Sequence, residues 1–162
     1  MMTLLLVEED DLLSTTLERD LSKIDGVRSI SSRSYEKAMR VLRSTASSDK
    51  TIDTLVTDLH IGRRDGIELI EAFKSASPQT LAVLISGEAH IQDRMEAKRL
   101  GVVATLRKPF SRQELHRVIR RAFDQLRGVS SLPPSEPTSP SFVDPPEGVL
   151  VVLAARDLLQ GG

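Results

Sequence analysis

The sequence predicts an α/β protein: a doubly wound, five-stranded parallel sheet flanked by five helices in a three-layer sandwich. Short apolar runs recur at residues 4–7, 27–30, 54–58, 81–86 and 103–106, and each is followed by a segment whose apolar residues return with helical spacing. Strands this apolar belong to a parallel sheet covered on both faces. Right-handed crossovers wind such units into a sandwich whose functional crevice lies beyond the carboxyl ends of the strands.

Each element has its own signals. Residues 4–7 form the first strand, and the helix after it places Leu12, Leu13, Thr16, Leu17, Leu21 and Ile24 on one face. Asp10 or Asp11 caps that helix, because a short acid there accepts the unpaired amides of the first turn. Residues 27–30 are a weak second strand; the helix over 35–42 turns Ala38, Met39, Val41 and Leu42 inward behind a serine-rich entry. Residues 54–58 are the third strand and 67–76 the third helix, stopped by Pro78; Asp65-Gly66 ahead of it marks a turn. Residues 81–86 are the fourth strand, 89–100 the fourth helix with Gly101 just past its end, and 103–106 the fifth strand. Ser111 opens the last helix, which runs to about Leu126, and Glu114 completes a capping box.

From Gly128 the composition changes. Six of the eight prolines fall between Pro133 and Pro146 among serines, so residues 128–147 read as an extended linker. Residues 148–162 form an apolar tail, with Asp144-Pro145-Pro146-Glu147 fitting a helix start ahead of the apolar stretch from Val149 to Ala155. The tail reads either as a frayed end or as a short element docking on the folded part or on a partner. The segment is too short for a separate output domain.

A formal charge of −1 gives no reason to expect nucleic-acid or membrane binding. With no cysteine, disulfides and thiolate metal sites are excluded. There is no basic leader segment and no apolar run near the roughly 20 residues of a membrane span, so a soluble, cytoplasmic protein is expected.

Four chemical groups sit where the chain leaves an apolar run: the acids Glu8 and Glu9, the lone acid Asp58, the hydroxyl of Ser86, and Lys108 before Pro109. Singly, each has an ordinary reading. Glu8-Glu9 suits a solvated strand end or a helix cap, Asp58 a cap, Ser86 a small strand-end residue and Lys108 the surface. Together, at successive strand ends, they converge on one rim. Clustered carboxylates there call for a hard cation, and oxygen ligands suit Mg²⁺. The set is suited to phosphoryl transfer onto a carboxylate.

With these residues in view, the chain resembles the receiver domain of bacterial two-component response regulators, a CheY-like, flavodoxin-like fold. The similarity covers about residues 3–127. It rests on Leu-Leu-Val-Glu-Glu-Asp-Asp-Leu-Leu, on Thr57-Asp58-Leu59-His60 through Asp65-Gly66, on Ile85-Ser86-Gly87 and on Lys108-Pro109-Phe110. The resemblance implies strand order 2-1-3-4-5 and a receiver over residues 1–127. It implies Asp58 as phosphoacceptor, Glu8 and Glu9 as holders of Mg²⁺ together with Asp58 and the backbone carbonyl of His60, Ser86 as the hydroxyl that follows the phosphoryl group, and Lys108 as its cationic partner. It places His60 and Glu88 beside the path of an attacking water and Thr105 at the switch position.

The sequence departs from the family pattern at three places. Glu9 stands where Asp is usual, one methylene longer. Ile61-Gly62 replaces Met-Pro, which should loosen the loop after Asp58. Thr105 replaces an aromatic, so a ring swinging inward cannot report phosphorylation.

The function expected is therefore a stand-alone receiver, phosphorylated by a sensor histidine kinase or phosphotransfer protein and signalling to a downstream protein effector. It is a signalling module and not an enzyme in the ordinary sense. No DNA or membrane contact is expected, while a homodimer is compatible. Arg117, Arg120, Arg121 and Arg127 on the last helix read as a solvated face. The rival is a pseudo-receiver scaffold that binds its partner independently of phosphorylation. A phosphatase is disfavoured by His60 standing two residues after Asp58, where such enzymes carry a second acid.

Overall fold

The computed structural model describes residues 1–48 and 50–128. The expectations for the linker and the apolar tail lie outside the described residues. Parallel strands β1 (Met2–Val7), β2 (Val27–Ser32), β3 (Thr54–Asp58), β4 (Leu81–Ser86) and β5 (Ala104–Arg107) make one sheet of order β2-β1-β3-β4-β5. Helices α1 (Asp11–Leu21), α2 (Tyr35–Ala46), α3 (Gly66–Ala76), α4 (Ile91–Arg99) and α5 (Arg112–Leu126) connect them. The fold is the flavodoxin-like receiver fold.

Two cores follow from the two-residue period of the strands. Leu5, Val7, Leu55, Ala82 and Leu84 pack with α2, α3 and α4. Their alternates Leu4, Leu6, Val56, Val83, Ile85 and Leu106 pack with Leu17 and Leu21 of α1 and with Leu115 and Ile119 of α5. Phe73 of α3 is among the largest fully buried side chains. Phe73→Ala is expected to cost about 3–5 kcal/mol through lost burial and a cavity, read as a lower urea midpoint at unchanged slope.

Caps account for the helix starts. Asp10 accepts from the Leu13 amide at 2.7 Å, which settles the choice between the two acids. Ser34 caps α2, and Ser111 with Glu114 forms the expected box. Helix α4 starts at Ile91, later than expected, because the Asp93 carboxylate accepts from the His90 amide at 2.8 Å and so fixes the first turn there.

Two expectations need correction. Leu12, 79% exposed, and Thr16, also exposed, do not join the inward face of α1. The buried stripe runs through Ser14, Leu17, Leu21 and Ile24, at successive steps of three or four residues, and at 100° per residue Leu12 falls off it. The Asp65-Gly66 pair is a helix start and not a turn, the turn falling at Gly62-Arg63: Asp65 caps α3, accepting from the Ile67 amide at 2.7 Å, and Gly66 is the first helical residue. Between β3 and α3 the chain also forms a two-residue antiparallel ladder that the sequence did not announce, pairing His60 with Asp65 and Ile61 with Arg64.

Sheet register puts the chemistry in place. Val7 pairs with Thr57, so Glu8 and Asp58 occupy the next rung on adjacent strands. Asp58 pairs with Ile85 and Ser86 with Arg107, so Ser86 and Lys108 each sit one residue further along. From β1 the chain winds outward to β2 and then returns to the other side at β3. The crevice between β1 and β3 is thus the topological switch point of the sheet.

Candidate phosphoacceptor site

Asp58 and Glu8 are both buried at the carboxyl ends of β3 and β1. Two buried carboxylates on adjacent rungs repel each other unless a cation lies between them, and Lys108 supplies it. Its ammonium bonds Asp58 Oδ2 in a very short contact and Glu8 Oε2 at 3.1 Å. The other carboxylate oxygens take backbone donors: Asp58 Oδ1 from the His60 amide at 3.1 Å, and Glu8 Oε1 from the Asp10 amide at 3.0 Å. Lys108 is anchored in turn by its own amide, which donates to the Ser86 carbonyl at 2.8 Å, and it precedes a cis peptide bond to Pro109.

The electrostatics follow from burial. Burial pushes the Glu8 carboxyl above the ordinary carboxylate value, with the Asp10 amide and Lys108 holding it partly down. Burial pulls Lys108 down, but its bonds to Asp58 and Glu8 more than offset this and hold the ammonium above its ordinary value. A carboxyl raised by folding stabilises the fold below its unfolded value and loses that contribution as pH rises through its folded value. Ionising Glu8 therefore costs folding free energy.

Glu9 goes elsewhere. It is exposed, and its Oε2 accepts from the Gly62 amide at 2.6 Å. Gly62 adopts φ +61°, a left-handed conformation that glycine accepts without strain. The loop expected to be loosened by Ile61-Gly62 is therefore tied down, with Ile61 buried in the α2/α3 core and Gly62 bonded to the acid pair.

Ser86 is buried, and its hydroxyl oxygen has no hydrogen-bond partner among the described residues. A buried hydroxyl at the rim without a partner is costly and calls for an acceptor or donor delivered into the crevice. His60 reaches Asp58 through its amide, while its side chain is exposed. Glu88 and Thr105 are exposed and stand outside the bonded set.

The structure thus gathers Glu8, Asp58 and Lys108 into one bonded cluster, with Ser86 beside it and Glu9 at its edge. Three residues contribute in ways that sequence reasoning missed. Asp10 is both helix cap and amide donor to Glu8, Gly62 engages Glu9, and Gly66 lies against the Asp58 backbone. Each carried a local sign in the sequence, Asp10 as a cap, Gly62 as a loop residue and Gly66 as a turn residue, but none announced its partner at the site.

Does this set fit Mg²⁺? Its side-chain donors are all carboxylate oxygens, as a hard cation requires. The two buried acids against one ammonium leave a formal charge of −1, and Glu9 adds a further negative charge at the rim. Among the described residues, no three acids or imidazoles are already arranged as a metal cluster, and Glu9 is bonded to the Gly62 amide. The donor chemistry fits. No helix among the described residues is long and apolar enough to cross a membrane.

Comparison with known proteins agrees with this geometry. The family model of the response regulator receiver domain matches residues 4–120. The two-component response regulator PprB of Pseudomonas aeruginosa is 28% identical over 134 residues, covering 78% of this chain and 47% of its own length. The response regulator FleR of the same organism is 28% identical over 152 residues, covering 94% of this chain and 30% of its own. The transcriptional regulatory protein CpxR of Escherichia coli is 29% identical over 119 residues, covering 74% of this chain and 48% of its own. The chain therefore spans less than half the length of these relatives. Among solved structures, a CheY-like receiver domain protein from Methanospirillum hungatei superposes with a TM-score of 0.71 at 15% identity, covering 80% of this chain and 99% of that one. A response regulator receiver domain protein from Clostridium thermocellum gives 0.68 at 20% identity, covering 80% and 100%. At such identities the two structures speak to the fold.

Proposed function

The chain belongs to the response regulator receiver family, whose domains are phosphoacceptor signalling modules, and on that premise we propose that Asp58 takes a phosphoryl group from the phosphohistidine of a sensor kinase or phosphotransfer protein. The observation that carries this reading is the Lys108 ammonium lying between two buried carboxylates at the switch point of the sheet. An Asp58 oxygen attacks phosphorus, the bond from phosphorus to the histidine nitrogen breaks, and the imidazole leaves. Phosphoryl transfer depends mainly on positioning and on neutralising the equatorial oxygens. Lys108 supplies one fixed positive charge, and the His60 amide orients the Asp58 carboxylate.

Glu8, Glu9, Asp58 and the His60 carbonyl are the groups that would hold Mg²⁺, which when bound supplies further neutralisation of phosphoryl charge. The Ser86 hydroxyl gains a partner once a phosphoryl oxygen enters the crevice. His60 and Glu88, both exposed, are proposed to orient the water that later hydrolyses the acyl phosphate, which would be the domain's only other reaction. Thr105 leaves switching to Ser86 and the backbone leading into α4.

Receiver domains interact with histidine kinases, and that encounter is placed in the cytoplasm in this reading. Signalling through a protein-binding surface to a separate effector belongs to the same proposal, as does the absence of direct DNA contact. The transcriptional role printed for CpxR belongs to that longer protein. The test of the reading is phosphorylation by acetyl phosphate with Mg²⁺, followed as a single added phosphoryl group by mass spectrometry.

One observation favours a second reading, a pseudo-receiver that binds its partner independently of phosphorylation: Glu9 bonds Gly62 and not the Asp58 crevice. Glu9→Asp separates the two. The shorter side chain relinquishes the Gly62 amide and suits the octahedral demands of Mg²⁺ better, so Mg²⁺ affinity and phosphorylation rate are both expected to rise several-fold. Equal or weaker Mg²⁺ binding in a titration would count against a metal role for this position. Absence of Mg²⁺-dependent beryllofluoride binding in either protein would favour the pseudo-receiver.

A further inference from the structure

The hairpin between β3 and α3 places one backbone amide on the acidic crevice and a second on the acid at its edge. On its first strand the His60 amide meets Asp58 Oδ1, and at its tip the Gly62 amide meets Glu9 Oε2. A ladder of two residue pairs is too short to hold such amides by itself, since isolated hairpins are marginal even when longer. Something outside the ladder must fix it.

One side is fixed by burial, through Ile61 in the α2/α3 core, and by Asp65, which caps α3. The exposed side is fixed by Arg64. Its guanidinium lies 4.1 Å from the centroid of the Tyr35 ring, and its Nη2 reaches Glu68 Oε2 at 3.1 Å. Tyr35 is the first residue of α2 and packs against the same core as Ile61. A planar cation over a ring face held by the core is a directional contact, unlike a surface ion pair alone.

We propose that Tyr35 and Arg64 are positioning residues for the phosphoacceptor site: their stack anchors the hairpin to α2 and so holds the His60 and Gly62 amides on Asp58 and Glu9. The inference rests on the phosphoacceptor reading for its consequence in phosphorylation, but its structural content stands apart from that reading. Neither residue touches the reacting atoms. Both act through the ladder, with Arg64 opposite Ile61 and next to Asp65, the partner of His60.

The test is amide hydrogen exchange at His60 and Gly62 in the full chain, alongside the acetyl phosphate reaction. A partly exposed stack contributes about 0.5–1 kcal/mol, so Tyr35→Ala and Arg64→Ala should each speed exchange at Gly62 about two- to five-fold. Tyr35→Phe, which keeps the ring face, should restore the wild-type rate. The double variant Tyr35→Ala with Arg64→Ala should be no faster than either single one, because both remove the same contact. Amides of β4 should be unchanged in Arg64→Ala, whose side chain lies at the surface, so that global unfolding is not being read. Unchanged exchange at Gly62, additive effects in the double variant, or Tyr35→Phe behaving like Tyr35→Ala would each overturn the proposal. A wild-type chain that takes no phosphoryl group refutes the phosphoacceptor reading while leaving the exchange result to decide the stack. If the wild type is phosphorylated and the exchange shifts occur, the phosphorylation rate of both alanine variants should fall in step.

Discussion

Asp58→Asn is expected to abolish the single phosphoryl adduct formed with acetyl phosphate and Mg²⁺, leaving the mass of the chain unchanged. Asp58 is a buried carboxylate with a lysine ammonium on one oxygen and a backbone amide on the other, and its strand lies next to β4, which carries the unpartnered Ser86 hydroxyl. Glu8 shares the lysine and also accepts a backbone amide, from Asp10, but it follows β1, which is not adjacent to the strand that carries Ser86. Glu9 and Glu88 are exposed and lack a cationic partner among the described bonds of the site. The fold should tolerate the change, because an amide retains an acceptor for the His60 amide and removes one of two crowded charges. Unfolding by urea should therefore show equal or slightly higher stability for the variant. An adduct that persists in Asp58→Asn, at the wild-type level, would move the phosphoacceptor elsewhere.

The second large effect concerns stability. Gly66 begins α3 pressed against the end of β3, where its amide donates to the Leu59 carbonyl at 2.7 Å. A Cβ there would overlap the Asp58 carbonyl oxygen and lie 3.0 Å from its carbon and 3.2 Å from the Leu59 Cα. These are backbone atoms, so no rotamer change relieves the clash. Replacing Gly by Ala in a helix ordinarily helps, by up to about 1 kcal/mol through propensity and the unfolded chain. Overpacking against fixed atoms costs about 1–3 kcal/mol or more, and here the steric cost wins. Gly66→Ala is thus expected to lower the thermal midpoint by about 10 °C or more, at several degrees per kcal/mol for a domain of this size. Gly87→Ala is the control, since a Cβ there meets nothing within 4 Å, and its stability should stay within about 0.5 kcal/mol of wild type. A stable Gly66→Ala chain would mean that β3 and α3 separate easily, and the phosphoacceptor loop with them.

Gly66 also shows where reading the sequence reaches its limit. The pair Asp65-Gly66 reads as a turn, since both residues favour one, and proves to be a helix start. That the glycine is required by the approach of a backbone some eight residues earlier was not legible, because propensity carries no information about who the neighbours are. Leu12 shows a different failing: grouping it with the inward face overlooks that at 100° per residue it lies opposite Leu17 and Leu21, and its exposure follows from that angle. Glu9 is a third case. Its length invited an expectation about metal geometry, while its observed partner is a glycine amide 53 residues away in sequence.

By itself, the sequence determined the order of strands and helices, the alternating apolar faces that build two cores, and the placing of Glu8, Asp58, Ser86 and Lys108 at strand ends. These are local properties, set by periodicity, capping residues and the point at which an apolar run stops. The tertiary structure alone decided which of those residues meet. Lys108 reaches Asp58 across 50 positions and Glu8 across 100, through the register of parallel strands. It also decided that Glu9 turns to Gly62 and that Arg64 lies on Tyr35. The physical reason is that such contacts are set by the packing of layers around a common core, where neighbours are chosen by geometry and not by distance along the chain.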